Sequence, residues 1–462
     1  MSDKSNPPLS GSATRREFLK QATAATAVVA ATNLFKTSVY GQSQAPSPGR
    51  VIGANDRIVV GYVGVGGQGM AHVRPQKQYA ADNNIAQAAV CDVSKRRTAE
   101  AKAFVGGDCQ DFADYRKMLE RKDIDAICCA TVDHWHTRVS VDAMNAGKHV
   151  YVEKPMTRYL GEAFEIYDAV KKTGKILQVG SQGCSDQKWH EAAKLIKAGK
   201  IGSVVMSQGS YMRNSPQGEW NYDIQDWCTP DDLDWKAWFG NQIKKKVDFN
   251  ADHYFRWRKY YPYCAGLLGD LFPHKLHPYM LATGNPEFPL RVASVGNRKV
   301  ETDKKAVDKK ATKYMRDVPE IVQLIAEFPS GMTMNIISST VNEQGTQEMI
   351  RGHKATLYMA GNRIEMKPEK PFVEEIDPIT LDNIKPGESV PEHEKNWFES
   401  IRANKQPNCG IDLAIRVQTV ISLAEMSERL SVMCVFDEKT RKITTGDGRE
   451  IKALTYGSTP LS

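Results

Sequence analysis

The stretch GYVGVGGQGM (residues 61–70) constrains the fold of this chain more than any other. It completes an apolar run, RIVVGYVG (57–64), that ends in glycine. Such a run reads as a parallel strand, which is covered on both faces and so needs no polar alternation. Gly64, Gly66 and Gly69 form G-x-G-x-x-G. These glycines let the backbone turn from strand to helix and approach a pyrophosphate, whose charge sits at the positive helix start. The pattern alone is a weak signal and takes its weight from its setting. A helix is expected over 70–81, followed by a second strand, AQAAVCD (86–92), closed by Asp92. A carboxylate there accepts hydrogen bonds from a ribose 2′-OH and repels a 2′-phosphate, which favours NAD. Lys95, Arg96 and Arg97 follow and offer partners to that phosphate, so NADP stays open.

The alternation continues. Helices are expected over 112–121, 137–146 and 165–172, and strands at IDAICCATV (124–132), HVYVEKP (149–155) and ILQVGSQ (176–182). This rhythm predicts an α/β fold, a doubly wound parallel sheet with helices on both faces. Ligands bind at the carboxyl ends of such strands. The loops TVDHWHT (131–137) and VEKPM (152–156) lie there, which makes Thr131, His136, Glu153 and Lys154 candidates to border the cofactor. The expected organisation is a signal and linker over 1–48, a dinucleotide-binding domain over 49–180, a second domain over 181–445 and a tail over 446–462.

The N-terminal stretch TRREFLKQATAATAVVAA (14–31) pairs Arg15 and Arg16 ahead of an alanine-rich run. It resembles the twin-arginine signal that exports folded proteins, which implies a periplasmic location and the twin-arginine machinery as a partner. The run is too short and too weakly apolar for stable membrane insertion. The formal charge is +7, of which residues 1–48 carry +3. The remainder gives no electrostatic case for nucleic acid. Nine cysteines without a C-x-x-C pair are not a secreted disulfide framework. They suit a protein that folds in a reducing compartment before export.

Taken together, GVGGQG, TVDHWH, EKP and, further on, AGLLGDLFPH (265–274) resemble the Gfo/Idh/MocA oxidoreductases. The likeness runs from about residue 55 to about 440, through the tail HEKNWFESIRANKQPNCGIDLAIRVQTVISLAEMSERLS. It implies a second, α+β domain with an open, mostly antiparallel sheet and a homo-oligomer. It also implies a cis Pro155 that fixes Lys154, and Asp270 with His274 as the pair that removes the hydroxyl proton. Lys154, at a strand end, can hydrogen-bond a substrate hydroxyl and stabilise the developing alkoxide. Asp270 and His274 are four apart, but Pro273 lies between them and suits a helix start, near Phe272, rather than a helix interior. His277 is extra: a second acid/base role or a substrate contact is favoured for it over a metal ligand, and no metal is expected. Residues 211–263 hold five of the eight tryptophans, with Tyr254, Tyr260, Tyr261 and Tyr263. Rings interleaved with amides and carboxylates suit either carbohydrate recognition or a self-stapled insertion. Tyr263 and Arg256 are candidate substrate contacts there.

A dinucleotide carried out of the cytoplasm has no obvious supply, so the reading favours a cofactor that stays bound. The chemistry expected is an NAD(P)-dependent oxidoreductase acting on a secondary hydroxyl of a sugar or cyclitol. The alternatives are a redox-neutral NAD-dependent glycoside hydrolase and an exported sugar-binding protein without turnover. The family's hexosaminide-cleaving branch lacks an intact EKP, and this chain keeps it.

Overall fold

The computed structural model describes residues 57–244, 247–297, 316–385 and 387–458. The segment expected to be an export signal, its linker, the lysine-rich run DKKAVDKKATKY and the last four residues lie outside them. Six parallel strands form the first sheet: β1 (Ile58–Val63), β2 (Ile85–Cys91), β3 (Gln110–Phe112), β4 (Ala126–Cys129), β5 (His149–Glu153) and β6 (Leu177–Gly180). Their order is β3-β2-β1-β4-β5-β6. The chain winds outward in both directions from β1, so the crevice at its carboxyl end is where such a sheet takes a ligand. All six residues of β1 are buried, as its unbroken apolar run requires.

The helices Gly67–Gln78, Lys95–Val105, Asp133–Asn145 and Leu160–Thr173 are the crossovers. The segment 112–121 departs from expectation. Phe112 ends an edge strand and only Tyr115–Leu119 is helical, started by the Asp114 side chain accepting from Arg116 N. All nine cysteines are buried and none is in a disulfide; Cys128 and Cys129 are strand-core residues of β4.

Among the described residues the second sheet has twelve strands and is antiparallel apart from the pair β7 (Val204–Asn214) and the strand Thr333–Ser339. Helices Pro273–Ala282 and Ile411–Leu430 pack on one face. The other face exposes Val295 and Ile325, at 75% and 53%. One late helix returns to the first sheet. Val390–Ala403 buries Trp397, Phe398 and Ile401 against Ile58, Val60 and Tyr151, with the Tyr151 and Trp397 rings edge to face. The buried Arg158 guanidinium forks onto Glu425 at 2.6 and 2.7 Å and also donates to Tyr261 O, tying the β5 exit to the second domain. Among the described residues no helix is long and apolar enough to cross a membrane.

Candidate active site

The turn after β1 is shaped for close approach. Gly64 has φ +81°, and a Cβ there would lie 2.7 Å from Ala130 O and Thr131 N. A Cβ on Gly69 would meet Gly64 O at 1.9 Å. Only glycine fits at either position, and the second contact is what lets the helix Gly67–Gln78 begin directly under the turn. Asp92 steadies the turn: its carboxylate accepts from Val65 N at 2.9 Å and from Ser94 N at 2.9 Å. A cleft of about 630 Å³ opens here, walled by Gly64, Gly66, Asp92 and Thr131 and, across from them, by Tyr254 and Trp257.

Of the three basic residues after Asp92, the structure turns one inward. Arg96 pairs with Glu100 on the surface, and Lys95 Nζ donates to Asp231 O. Arg97 lies over Gly66, where an added Cβ would come within 2.8 Å of its guanidinium, and it is caged by the rings of Trp227, Tyr254 and Phe255 at 4.8–5.9 Å.

The aromatic segment 211–263 is both a core and a wall. Trp235 stacks on Trp238 at 4.6 Å, and Tyr254 and Tyr263 pack edgewise or tilted against Trp238. This segment grips both lips of the cleft. At the β2 lip, Ser94 Oγ and Arg96 N donate to the Asp232 carboxylate, and Asp234 N donates to Val93 O. At the β4 lip, Trp135 Nε1 donates to Trp238 O and Gln242 Nε2 to His134 O.

Three expected substrate contacts are corrected. Tyr263 is fully buried, its hydroxyl hydrogen-bonded to His253. Arg256 is 2% exposed and donates to Asp252 and to Tyr222 O. The insertion is dense enough in rings to need an interior, and these polar tips are satisfied inside it. His277 is buried, with Nδ1 on Pro273 O and the other edge beside Cys409, away from the cleft.

Behind the cleft lies a polar core. Glu153 accepts from Gln68 and Gln182, each at 3.1 Å, and pairs with His72 at 2.9 Å. His72 also contacts Glu394 at 2.7 Å. Burial alone would discharge this imidazole, but the two carboxylates outweigh it and push it up to about 10. Burial also acts against the Glu153 charge, and His72 and Lys154 still bring its carboxyl down to about 2. Glu153 thus supports the cofactor cradle through Gln68, which lines the cleft, rather than from its wall. His136 also stands behind the wall, bridging Pro155 O at 2.7 Å and Thr131 O at 3.2 Å.

At the end of β5 the Lys154–Pro155 peptide is cis. Lys154 Nζ donates to the Asp270 carboxylate at 2.7 Å and to its carbonyl at 3.0 Å. Asp270 also receives Arg258 Nε at 3.1 Å and Trp220 Nε1 at 3.0 Å. Against burial, Lys154 and Arg258 hold its carboxyl well below the usual range. Burial pushes neighbouring Asp133 up, to about 8; Arg258 moderates this and the Asp270 charge adds to it. Trp220 has φ +67°, a left-handed conformation that a bulky side chain rarely adopts, so the fold holds its indole on Asp270 at a cost in strain.

The helix bearing His274 starts at Pro273 with Phe272 before it, as proline demands, and Asp270 closes a separate turn, Leu267–Asp270. The two side chains therefore serve different partners. His274 Nδ1 lies 3.1 Å from Glu388, and its ring sits on Tyr211 at 4.9 Å. Lys154 and Asp270 are joined to the cleft by Arg258, which lines it and binds Asp270, and His274 neighbours them through Glu388, on whose carboxylate both His274 and Lys154 act. Arg97 was named as a possible phosphate partner, whereas Trp220, Arg258 and Glu388 were not singled out for these places by spacing. Glu388 lies over a hundred residues from His274 in a loop without a motif.

The model of the oxidoreductase family with an NAD-binding Rossmann fold matches residues 58–181. A glycosyl hydrolase family 109 protein of Shewanella baltica is 27% identical over 217 residues, 43% of this chain and 46% of that protein, so the match spans about half the relative's length. Among solved structures, levoglucosan dehydrogenase in complex with NADH superimposes with a TM-score of 0.61 at 18% identity, covering 81% of this chain and 98% of that one. An aldose–aldose oxidoreductase from Caulobacter crescentus gives 0.60 at 17%, covering 82% and 100%. These structural likenesses establish the fold, an α/β Rossmann domain followed by a largely antiparallel second domain. Over residues 58–181 the chain matches the NAD-binding Rossmann domain of this oxidoreductase family, and its two-domain fold is the one these solved structures share.

Proposed function

We propose that this chain is an NAD-dependent oxidoreductase acting on a secondary hydroxyl of a sugar or cyclitol, exported with a cofactor that stays bound between turnovers. The observation that carries the reading is the Lys154–Asp270 pair at the β5 exit, with His274 one helix start further on. The cradle fits a dinucleotide: Gly64 and Gly69 have no room for a Cβ in the tight turn, and Gly64, Gly66 and Asp92 face the cleft at the helix start. NAD, when bound, supplies the hydride acceptor.

The chain supplies the rest. Asp270 holds the Lys154 ammonium in place, and that ammonium donates to the substrate oxygen as negative charge builds there. His274 accepts the hydroxyl proton at Nε2, since Nδ1 is taken by Glu388. Arg258 and Trp257 exclude water from the end of the cleft. The segment 211–263, gripping both lips, supports retention of the cofactor. A retained cofactor requires that the hydride return in the same site, to a second carbonyl compound or to the same sugar.

The second case is a redox-neutral glycosidase, and the kinship to a protein named for glycosyl hydrolase family 109 favours keeping it as the alternative. The test is nicotinamide reduction by a panel of sugars and cyclitols, with Lys154→Ala and His274→Ala as controls. Reduction that both substitutions abolish supports the dehydrogenase. Aglycone release with solvent deuterium entering the ring, and no net reduction, transfers the assignment to the glycosidase.

A further inference from the structure

Of the two acids within four residues' reach or hydrogen-bonding distance of His274, only one touches it. Asp270 is saturated by Lys154, Arg258 and Trp220, at 2.7, 3.1 and 3.0 Å. Glu388 presents both oxygens to His274 Nδ1, at 3.3 and 3.1 Å. We propose that Glu388 is the positioning residue of His274, fixing its ring so that Nδ1 carries the hydrogen and Nε2 faces the substrate, while Asp270 serves Lys154, Arg258 and Trp220 instead.

Three features make Glu388 a fixed partner. It directly precedes Ser389, whose hydroxyl caps the helix Val390–Ala403 by accepting from Glu392 N. That helix is anchored on the first sheet by Trp397 and Phe398. Gly183 leaves the room it needs: a Cβ there would lie 3.2 Å from the Glu388 carboxylate. The Tyr211 ring packs against the His274 ring at 4.9 Å. Lys275, the nearest other cation on the same helix, is spent on Glu348. A carboxylate on one imidazole nitrogen sets the tautomer and leaves the other nitrogen as acceptor. The residue does not touch substrate and acts through His274. Its role in turnover rests on the dehydrogenase reading above.

The test is Glu388→Ala in the full-length exported protein, read in two ways. The side chain is 38% exposed in a loop, so the variant is expected to fold. In turnover, kcat is expected to fall by about tenfold or more with KM within about twofold, since proton transfer by a positioned base is worth about 10²–10⁴ in rate. In 15N spectra of histidine-labelled protein, with His274 assigned by His274→Gln, wild type is expected to show the Nδ1–H tautomer and Glu388→Ala a mixture. An unchanged tautomer in Glu388→Ala overturns the proposal, as does an unchanged kcat. If wild type turns over no sugar but the tautomer still depends on Glu388, the positioning stands and the dehydrogenase reading falls.

Discussion

At the residue scale, the site is a set of buried charges whose partners decide their roles. Lys154→Met is expected to lower kcat by about 10²–10³, the usual cost of one donor aimed at a developing oxyanion. The fold should persist, because Arg258 and Trp220 still satisfy Asp270. A melting temperature well below wild type would instead make Lys154 a structural cation. His72 carries a pH prediction. Its imidazolium is raised from 6.5 to about 10, so its stabilisation is fully present below pH 6.5 and lost as pH rises through 10. Glu153 is lowered from 4.5 to about 2, so its contribution is present above pH 4.5 and lost as pH falls through 2. His72→Gln should therefore cost most between pH 4.5 and 6.5, about 3–5 kcal/mol for a broken buried pair, and progressively less toward pH 10. Urea titrations of both proteins across that range measure it, and a penalty that does not vary with pH would remove the charged-histidine account.

At the element scale, the segment 211–263 is a strap across the carboxyl ends of β2 and β4. Asp232→Ala removes two hydrogen bonds at the β2 lip, from Ser94 Oγ and Arg96 N. At about 1 kcal/mol each, this should speed cofactor release by roughly tenfold or more. Displacement of bound dinucleotide by a labelled one gives the rate, and wild-type release kinetics in Asp232→Ala would mean that the strap does not hold the cofactor. This strap also shows where sequence is readable. The glycine turn, the strand-closing Asp92 and the proline-started helix at 273 follow from local chemistry and were legible. The partners of Asp232, Arg97 and Glu388 lie over a hundred residues away in sequence, and no local pattern encodes them. Tyr263 and Arg256 were misassigned for the converse reason. Their residue types suit carbohydrate binding, but an insertion with this many rings first builds its own interior.

At the scale of the whole molecule, the two sheets are not independent. The helix Val390–Ala403 covers the first sheet, and Arg158–Glu425 crosses between the halves. Truncating the fully buried Trp397 to alanine should cost about 3–5 kcal/mol. It should lower a single unfolding transition followed alike by near- and far-ultraviolet dichroism; two separated transitions in wild type would show that the halves melt on their own. The same integration bears on the central claim, that the protein leaves the cytoplasm already carrying its cofactor. That claim is tested most directly by purifying the exported form without added nicotinamide, denaturing it and identifying the released small molecule by mass spectrometry. The account predicts NAD at close to one per chain. An empty protein that takes up and exchanges added NAD freely would contradict it.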